Sequence, residues 1–279
     1  DISGSNLQLR GGGGEVEGPE LPEGGEKSPP QTWKGDNPFE HGGTSEENQR
    51  RLKNCLQTAQ SAGLFDYIKG QQRVMTLPES LKNKYFALRH GESEANVAGL
   101  IVSDPENGVN GYGLSEKGKG QVTQACEKFK SLIGTSGNMD NVVVYCSDFK
   151  RTHETAKLFV VGCGMKEDRL FPVKTLRERR FGDLELEDHS RYGDVWAHDA
   201  KSGEHTEFGV EPASEVRFRT AGFVRVLEQH HKGKFIVLIS HGDALQILQT
   251  AFKDIDVTQH RTFQHLEQAE IRELVRGPE

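Results

Sequence analysis

From Lys84 onward the chain alternates short apolar runs with longer stretches whose apolar residues recur at helical spacing. Tyr85-Phe86-Ala87-Leu88, Val142-Val143-Val144-Tyr145-Cys146 and Phe235-Ile236-Val237-Leu238-Ile239 are apolar throughout. Continuous runs of this length suit strands buried on both faces, as in a parallel sheet. Between them, helices are predicted from Ser115 to about 132, from Asp148 to about Val161, over 213–231 and over 243–253, with Ser115 as an N-cap. Leu170-Phe171-Pro172-Val173 reads as a short strand, and 94–114, rich in Gly, Asn and Asp, as a long loop. Residues 269–275 alternate apolar and polar, the pattern of an edge strand, and an antiparallel one is compatible with it. No internal repeat is visible. The expected fold is α/β: a three-layer α/β/α sandwich with a mostly parallel central sheet and an antiparallel edge strand.

The N-terminal part breaks this pattern. The 279 residues have 34% hydrophobic content and a mean hydropathy of −0.66. The first 49 carry ten acids against three bases, which accounts for the whole formal charge of −7 and leaves the remainder near neutral. With the Gly11–Gly14 run and Pro29-Pro30, such composition buries too little apolar surface to offset chain entropy. Residues 1–44 are expected to be a disordered acidic Gly/Pro-rich tail. Residues 45–83 read as an accessory helical segment or linker, with Leu52, Leu56, Ala59 and Leu64 on one face. Residues 84–279 are expected to form the α/β domain.

Charge and cysteine usage exclude some partners. A near-neutral body argues against nucleic acid, which needs a basic face. No run of 18 apolar residues exists to span a membrane. Cys55, Cys126, Cys146 and Cys163 lack metal-ligand spacing and read as reduced thiols, and no Asn-x-Ser/Thr sequon is present. These features point to an intracellular protein, the cytoplasm first. A chain starting at Asp1 reads as a fragment or processed form and leaves organelle targeting open.

The candidate chemistry sits where the apolar runs end. Leu88-Arg89-His90-Gly91-Glu92-Ser93 follows the first strand, Ser147-Asp148-Phe149-Lys150-Arg151-Thr152 the second, and Ser240-His241-Gly242-Asp243 the 234–240 strand. In an open parallel sheet all three junctions lie on one edge, where ligands bind. Gly91 permits a sharp turn and close backbone approach. Arg151 falls in the first turn of its helix, where the dipole favours an anion, and arginine's planar fork suits phosphate oxygens. A fourth element, Leu176-Arg177-Glu178-Arg179-Arg180-Phe181-Gly182, places an acid among arginines. Glu178 reads either as an ion-pair partner of those arginines or as a proton donor whose pKa a nearby substrate anion raises.

In order and context these four elements resemble the histidine phosphatase superfamily, also called the phosphoglycerate mutase-like family, over about residues 84–275. The resemblance implies a phosphohistidine mechanism. His90 is then the nucleophile, with Arg89, Arg151 and His241 holding the phosphoryl oxygens and Glu178 serving as acid and then base. It further implies phosphate binding by Asn96, with Arg179 as an added phosphate-binding residue, and no metal or other cofactor, protein cations taking that part. The family holds phosphatases, mutases and members without activity. Glu178 and His241 lie 63 positions apart, short for a mutase and usual for a phosphatase. The expected activity is therefore metal-independent phosphomonoester hydrolysis on a small phosphorylated metabolite, a phosphoprotein being the other candidate. Cofactor-dependent mutase-type transfer is the runner-up, and an inactive phosphate-recognising module the second alternative. Specificity is expected in 94–113 and 183–212, and Arg179, Arg180, Arg191, Lys201 and His205 hint at a substrate with more than one anionic group.

Two features read as decoys. Gly113 to Gly120 nearly fits a phosphate-binding loop, but Gly120 stands where Ser or Thr binds magnesium and no strand precedes it. His198, His205, His230 and His231 show no ligand spacing and are expected to be solvated.

Overall fold

The computed structural model describes residues 76–134 and 137–277, which belong to one compact unit. The tail and the helical candidate at 46–70 lie outside the described residues, as does Cys55. The sheet comprises β1 (Lys84–Arg89), β2 (Val142–Cys146), β3 (Leu170–Pro172), β4 (Phe235–Ser240) and β5 (Ile271–Leu274), in the order β3-β2-β4-β1-β5. The β1–β4, β2–β4 and β2–β3 pairs are parallel, and β5 runs antiparallel to β1. The expected mostly parallel sheet with an antiparallel edge is thus what forms.

Alternation along the strands divides the core into two faces. Tyr85, Ala87, Val143, Tyr145, Ile236 and Leu238 pack with Phe218, Val224 and Leu227 of α6 (Ala213–His230) and Leu248 and Phe252 of α7 (Gly242–Lys253). Phe86, Leu88, Val142, Val144, Val237 and Ile239 pack with Val122 and Phe129 of α3 (Glu116–Ile133) and Ala156 and Phe159 of α4 (Lys150–Gly162). This makes the three layers. Strands covered by helices on both sides must be apolar at every position, which is why they read as unbroken runs. The Ser115 hydroxyl caps α3 by accepting from Gly118 N at 3.0 Å.

Three expectations need correction. The 94–114 segment is not all loop: it holds α1 (Glu94–Ala98) and α2 (Pro105–Gly108), nucleated by caps from Ser93 and Asp104. These helices are too short for periodicity to reveal. The compact body also starts before Lys84. Leu77 is buried in the core, its carbonyl accepts from Arg276, and Asn83 is tied to Glu228 and the His231 carbonyl. Finally, His230 and His231 are buried rather than solvated. His231 Nε2 meets the Tyr145 hydroxyl at 2.8 Å, and its burial pushes its pKa down to about 4. His205 is paired with Asp199 at 2.7 Å. Cys126, Cys146 and Cys163 are free and buried, as expected.

Candidate active site

Parallel pairing of β1 and β4, with Arg89 opposite Ser240, places the residues after both strands side by side at one sheet edge. His90 N donates to Ser240 O at 3.0 Å, and Ser147 N to Ile239 O at 3.0 Å, so all three junctions are stitched together. The His90 and His241 rings lie edge to face with centroids 5.3 Å apart. Arg151, from the first turn of α4, donates Nε to His90 Nε2 at 3.2 Å and Nη2 to Val102 O at 2.8 Å.

That contact fixes the tautomer of His90. Nε2 accepts, so Nδ1 carries the hydrogen and donates it to Gly91 O at 2.7 Å. Burial first, then Arg151 and Arg89, hold the pKa of His90 well below 6.5. The ring is neutral, with a lone pair on Nε2. His241 is neutral for the same reasons, burial and then Arg151. It is wholly buried, with Nε2 at 3.0 Å from Ser147 Oγ.

Three buried nitrogens around this pair have no hydrogen-bond partner: Arg89 Nε, Arg151 Nη1 and His241 Nδ1. Buried polar atoms are nearly always satisfied, so three together mark a place that receives acceptors. Arg89 is held by His265 Nε2 at 2.7 Å and Leu266 O at 2.8 Å. Since Arg89 donates, His265 presents its bare Nε2 and gives its Nδ1 hydrogen to Gln246 Oε1 at 2.9 Å. A Cβ at Gly242 would stand 3.2 Å from the His265 ring and 3.5 Å from Arg89 Nε, so glycine permits this approach.

Glu178 is buried, and its Oε1 accepts from the backbone N–H groups of Arg179 (2.9 Å) and Ala244 (3.0 Å). Burial, then repulsion from Asp243, raises its pKa above the usual 4.5 despite those bonds and Arg151. Its neighbouring arginines are engaged elsewhere: Arg177 forks onto Asp148 at 2.7 Å, and Arg179 onto Asp199 at 2.7 and 2.9 Å. The ion-pair reading of Glu178 is therefore not what forms.

A cavity of about 310 Å³ opens over these groups, lined among others by Arg89, His90, Asn96, Arg151 and Glu178. Asn96 is at its wall, its Oδ1 holding Ser93 N and Oγ in a capping box. Arg179 departs from expectation. It is fully buried and bonds Asp199, Asp243 and the Glu211 carbonyl, so it braces the site rather than lining it. The Asp199, Asp243 and His260 trio brings ligand-type atoms within 4.8 Å, but the Arg179 guanidinium already bonds both carboxylates. Arg180 lies on a neighbouring groove of about 660 Å³ that Glu178 also borders.

Tyr192, Trp196, His189, His265 and Gln268 line the cavity without having been anticipated. Tyr192 and Trp196 are four apart on α5 (Tyr192–Asp199), a spacing that puts them on one helix face. That signal was legible, but which face looked into the site was not. Gly118 explains the decoy: a Cβ there would run into the Glu92 carbonyl, so this glycine lets α3 approach the His90 loop.

Comparison with known proteins agrees with this geometry. The profile of the histidine phosphatase superfamily (branch 1) matches residues 85–279. A phosphoglycerate mutase-like protein of Arabidopsis thaliana is 31% identical over 120 residues, 40% of this chain and 41% of that one, so the chain spans well under half of that relative. A protein of the same plant named metal-independent phosphoserine phosphatase is 26% identical over 176 residues, 61% of this chain and 68% of that one. The structure of a mycobacterial glucosyl-3-phosphoglycerate phosphatase superposes with a TM-score of 0.56 at 20% identity, covering 68% of this chain and 91% of that one. At that identity the likeness speaks for the fold.

Proposed function

The chain belongs to the histidine phosphatase superfamily, branch 1, and on that premise we propose that it hydrolyses phosphomonoesters through a covalent phosphohistidine at His90. The observation that carries this reading is the bare Nε2 of a neutral His90 beside three unpartnered buried nitrogens, two of them arginine N–H donors. The equatorial oxygens of a phosphoryl group over His90 accept hydrogen bonds from Arg89, Arg151 and His241, and the Arg151 Nε–H swings from Nε2 to one of them. The Nε2 lone pair then forms the N–P bond as the P–O bond to the leaving group breaks.

Glu178 supplies the proton. Two amides occupy Oε1, so its hydrogen sits on Oε2 and passes to the leaving oxygen. The carboxylate so formed takes a proton from the water that attacks the phosphohistidine. The N–P bond breaks, its electron pair returns to Nε2, and phosphate leaves. Buried arginines in a water-poor site stabilise the charge that a metal would otherwise meet. That a relative is named a metal-independent phosphatase supports this. Asn96 adds a polar contact at the phosphate end. The substrate is a small phosphorylated molecule.

The test is a labelled phosphoenzyme. With a ³²P-labelled monoester and chelator present, the chain should yield an acid-labile, base-stable label that His90→Ala lacks. Label retained in the variant, or turnover strictly dependent on added divalent metal, overturns the reading. Phosphate release without isomerised phosphoglycerate separates hydrolysis from mutase-type transfer. Binding without turnover identifies a recognition module.

A further inference from the structure

Beyond the phosphate end, the cavity wall has a definite chemistry. Ala95, Leu100 and Val102 from the segment after β1 line it together with Tyr192 and Trp196 from α5. The aromatic wall is rigid. Tyr192 and Trp196 stack at 9° with centroids 5.6 Å apart, and Tyr192 rests edge-on against Phe181 at 4.7 Å. Trp196 Nε1 is fixed to Asp243 at 3.0 Å.

The arginines near this wall are spent on other partners. Arg261 lies 3.6 Å over the Trp196 ring and donates to Gln246 at 2.8 Å. Arg179 is locked between Asp199 and Asp243. Arg191 pairs with Asp194. Arg177 and Arg219, on the neighbouring groove, are held by Asp148 and Glu211. Among the described lining residues the arginines are Arg89 and Arg151, both at the phosphate end, and Glu178 and Asp243 also line the cavity, Asp243 paired with Arg179 and Arg261. His265 sits there with its bare nitrogen turned to Arg89. Asn96 and Gln268 offer uncharged polar contacts.

Building on the proposed phosphatase reading, we infer that the substrate's leaving group is uncharged and ring-bearing: a monoester of a phenol or other flat, apolar-faced alcohol. A carboxylate or second phosphate would give up its water there with no unpaired arginine to answer it, since Asp243 already takes Arg179 and Arg261 and Glu178 carries the proton for the leaving group. A planar ring would lie against the wall of Tyr192, Trp196, Leu100 and Val102, where aromatic surface binds well. The volume of about 310 Å³ suits a phosphoryl group and a ring of modest size. This replaces the expectation of a multiply charged substrate, because the arginines behind that expectation are buried, paired or on the other groove.

The test compares two esters of nearly equal shape, 4-carbamoylphenyl phosphate and 4-carboxyphenyl phosphate, each followed by kcat/KM and by label on His90. At least tenfold preference for the uncharged carbamoyl ester is expected. Leu100→Lys, which adds a cation to the wall, should reduce that preference at least tenfold. Equal or better use of the carboxylate with His90 labelled, or a preference that Leu100→Lys leaves unchanged, overturns this inference and spares the phosphatase reading. Absence of label from both esters overturns both readings.

Discussion

Arg151 donates its Nε–H to Nε2 of His90 across 3.2 Å, and that bond leaves the His90 lone pair on Nε2 of a ring that lines the cavity. The hydrogen on Nδ1 is anchored to the Gly91 carbonyl next door in the chain. A single residue from the first turn of α4 therefore both orients the candidate nucleophile and supplies an unpartnered donor, Nη1, for the group it would attack. Arg151 is so deeply buried that its own pKa is lowered to about 10, first by burial, yet it stays charged at neutral pH.

Lysine cannot reproduce this. Its single ammonium reaches either His90 or the Val102 carbonyl and offers no planar fork. Arg151→Lys is expected to lower kcat/KM on phenyl phosphate by about 10²- to 10³-fold. Steady-state kinetics at neutral pH measure this, and a value within threefold of wild type would remove Arg151 from the phosphoryl contacts.

The pH profile follows from two opposite shifts. His90 must be neutral, and its pKa is lowered from 6.5, so activity is lost only as pH falls well below that value. Glu178 must be protonated to act as the acid, and its pKa is raised from 4.5, so activity is lost as pH rises through the raised value. Glu178→Gln should abolish the alkaline limb. It should cost about 10²- to 10⁴-fold on phenyl phosphate and much less on 4-nitrophenyl phosphate, whose leaving group needs little protonation. An equal loss on both esters would reassign the proton donor.

Arg179 should reveal itself as structural. Arg179→Met leaves Asp199 and Asp243 facing each other in the interior, and breaking such a buried pair costs about 3–5 kcal/mol. Urea unfolding should show that loss. A variant as stable as wild type but with weakened phosphate binding would restore Arg179 to the ligand contacts.

Acid should destabilise the fold at an early stage. His230 and His231 are buried, and burial lowers both pKa values, that of His231 to about 4. A depressed folded pKa means that the unfolded chain takes up protons first. Stability is then full above about pH 6.5 and falls below it, by at most about 1.4 kcal/mol per pH unit for each such histidine. The midpoint of thermal unfolding should be flat above pH 7 and decline toward pH 5. The decline should be shallower in His231→Gln if that residue contributes.

Gly118 tests the close approach of α3 to the His90 loop. Alanine there collides with backbone rather than with a flexible side chain. Gly118→Ala should therefore lower activity by displacing Glu92 and His90, even where circular dichroism shows the helices intact. Wild-type turnover would show that the loop can move away at no cost.

Much of this architecture was legible along the chain. Apolar runs locate parallel strands because a strand covered on both faces has no polar position to spare, and Arg89, His90 and His241 come together because parallel strands bring their ends to one edge. Arg179 resisted such reading. Arg177, Arg179 and Arg180 have the same charge and adjoining positions, and only packing separates them: one onto Asp148, one into the interior with Asp199 and Asp243, one onto the neighbouring groove. His231 and the His265–Arg89 contact were hidden for the same reason, since hydrogen bonds between residues 86 and 176 positions apart leave no local pattern. The sequence alone determined the sheet, its edge and the phosphoryl-type constellation on it, because burial and alternation are local. Tertiary structure decided which nitrogen of His90 is bare, which arginines remain for a phosphate, and that Tyr192 and Trp196 form the remaining wall, because each depends on distant chain segments meeting in the interior.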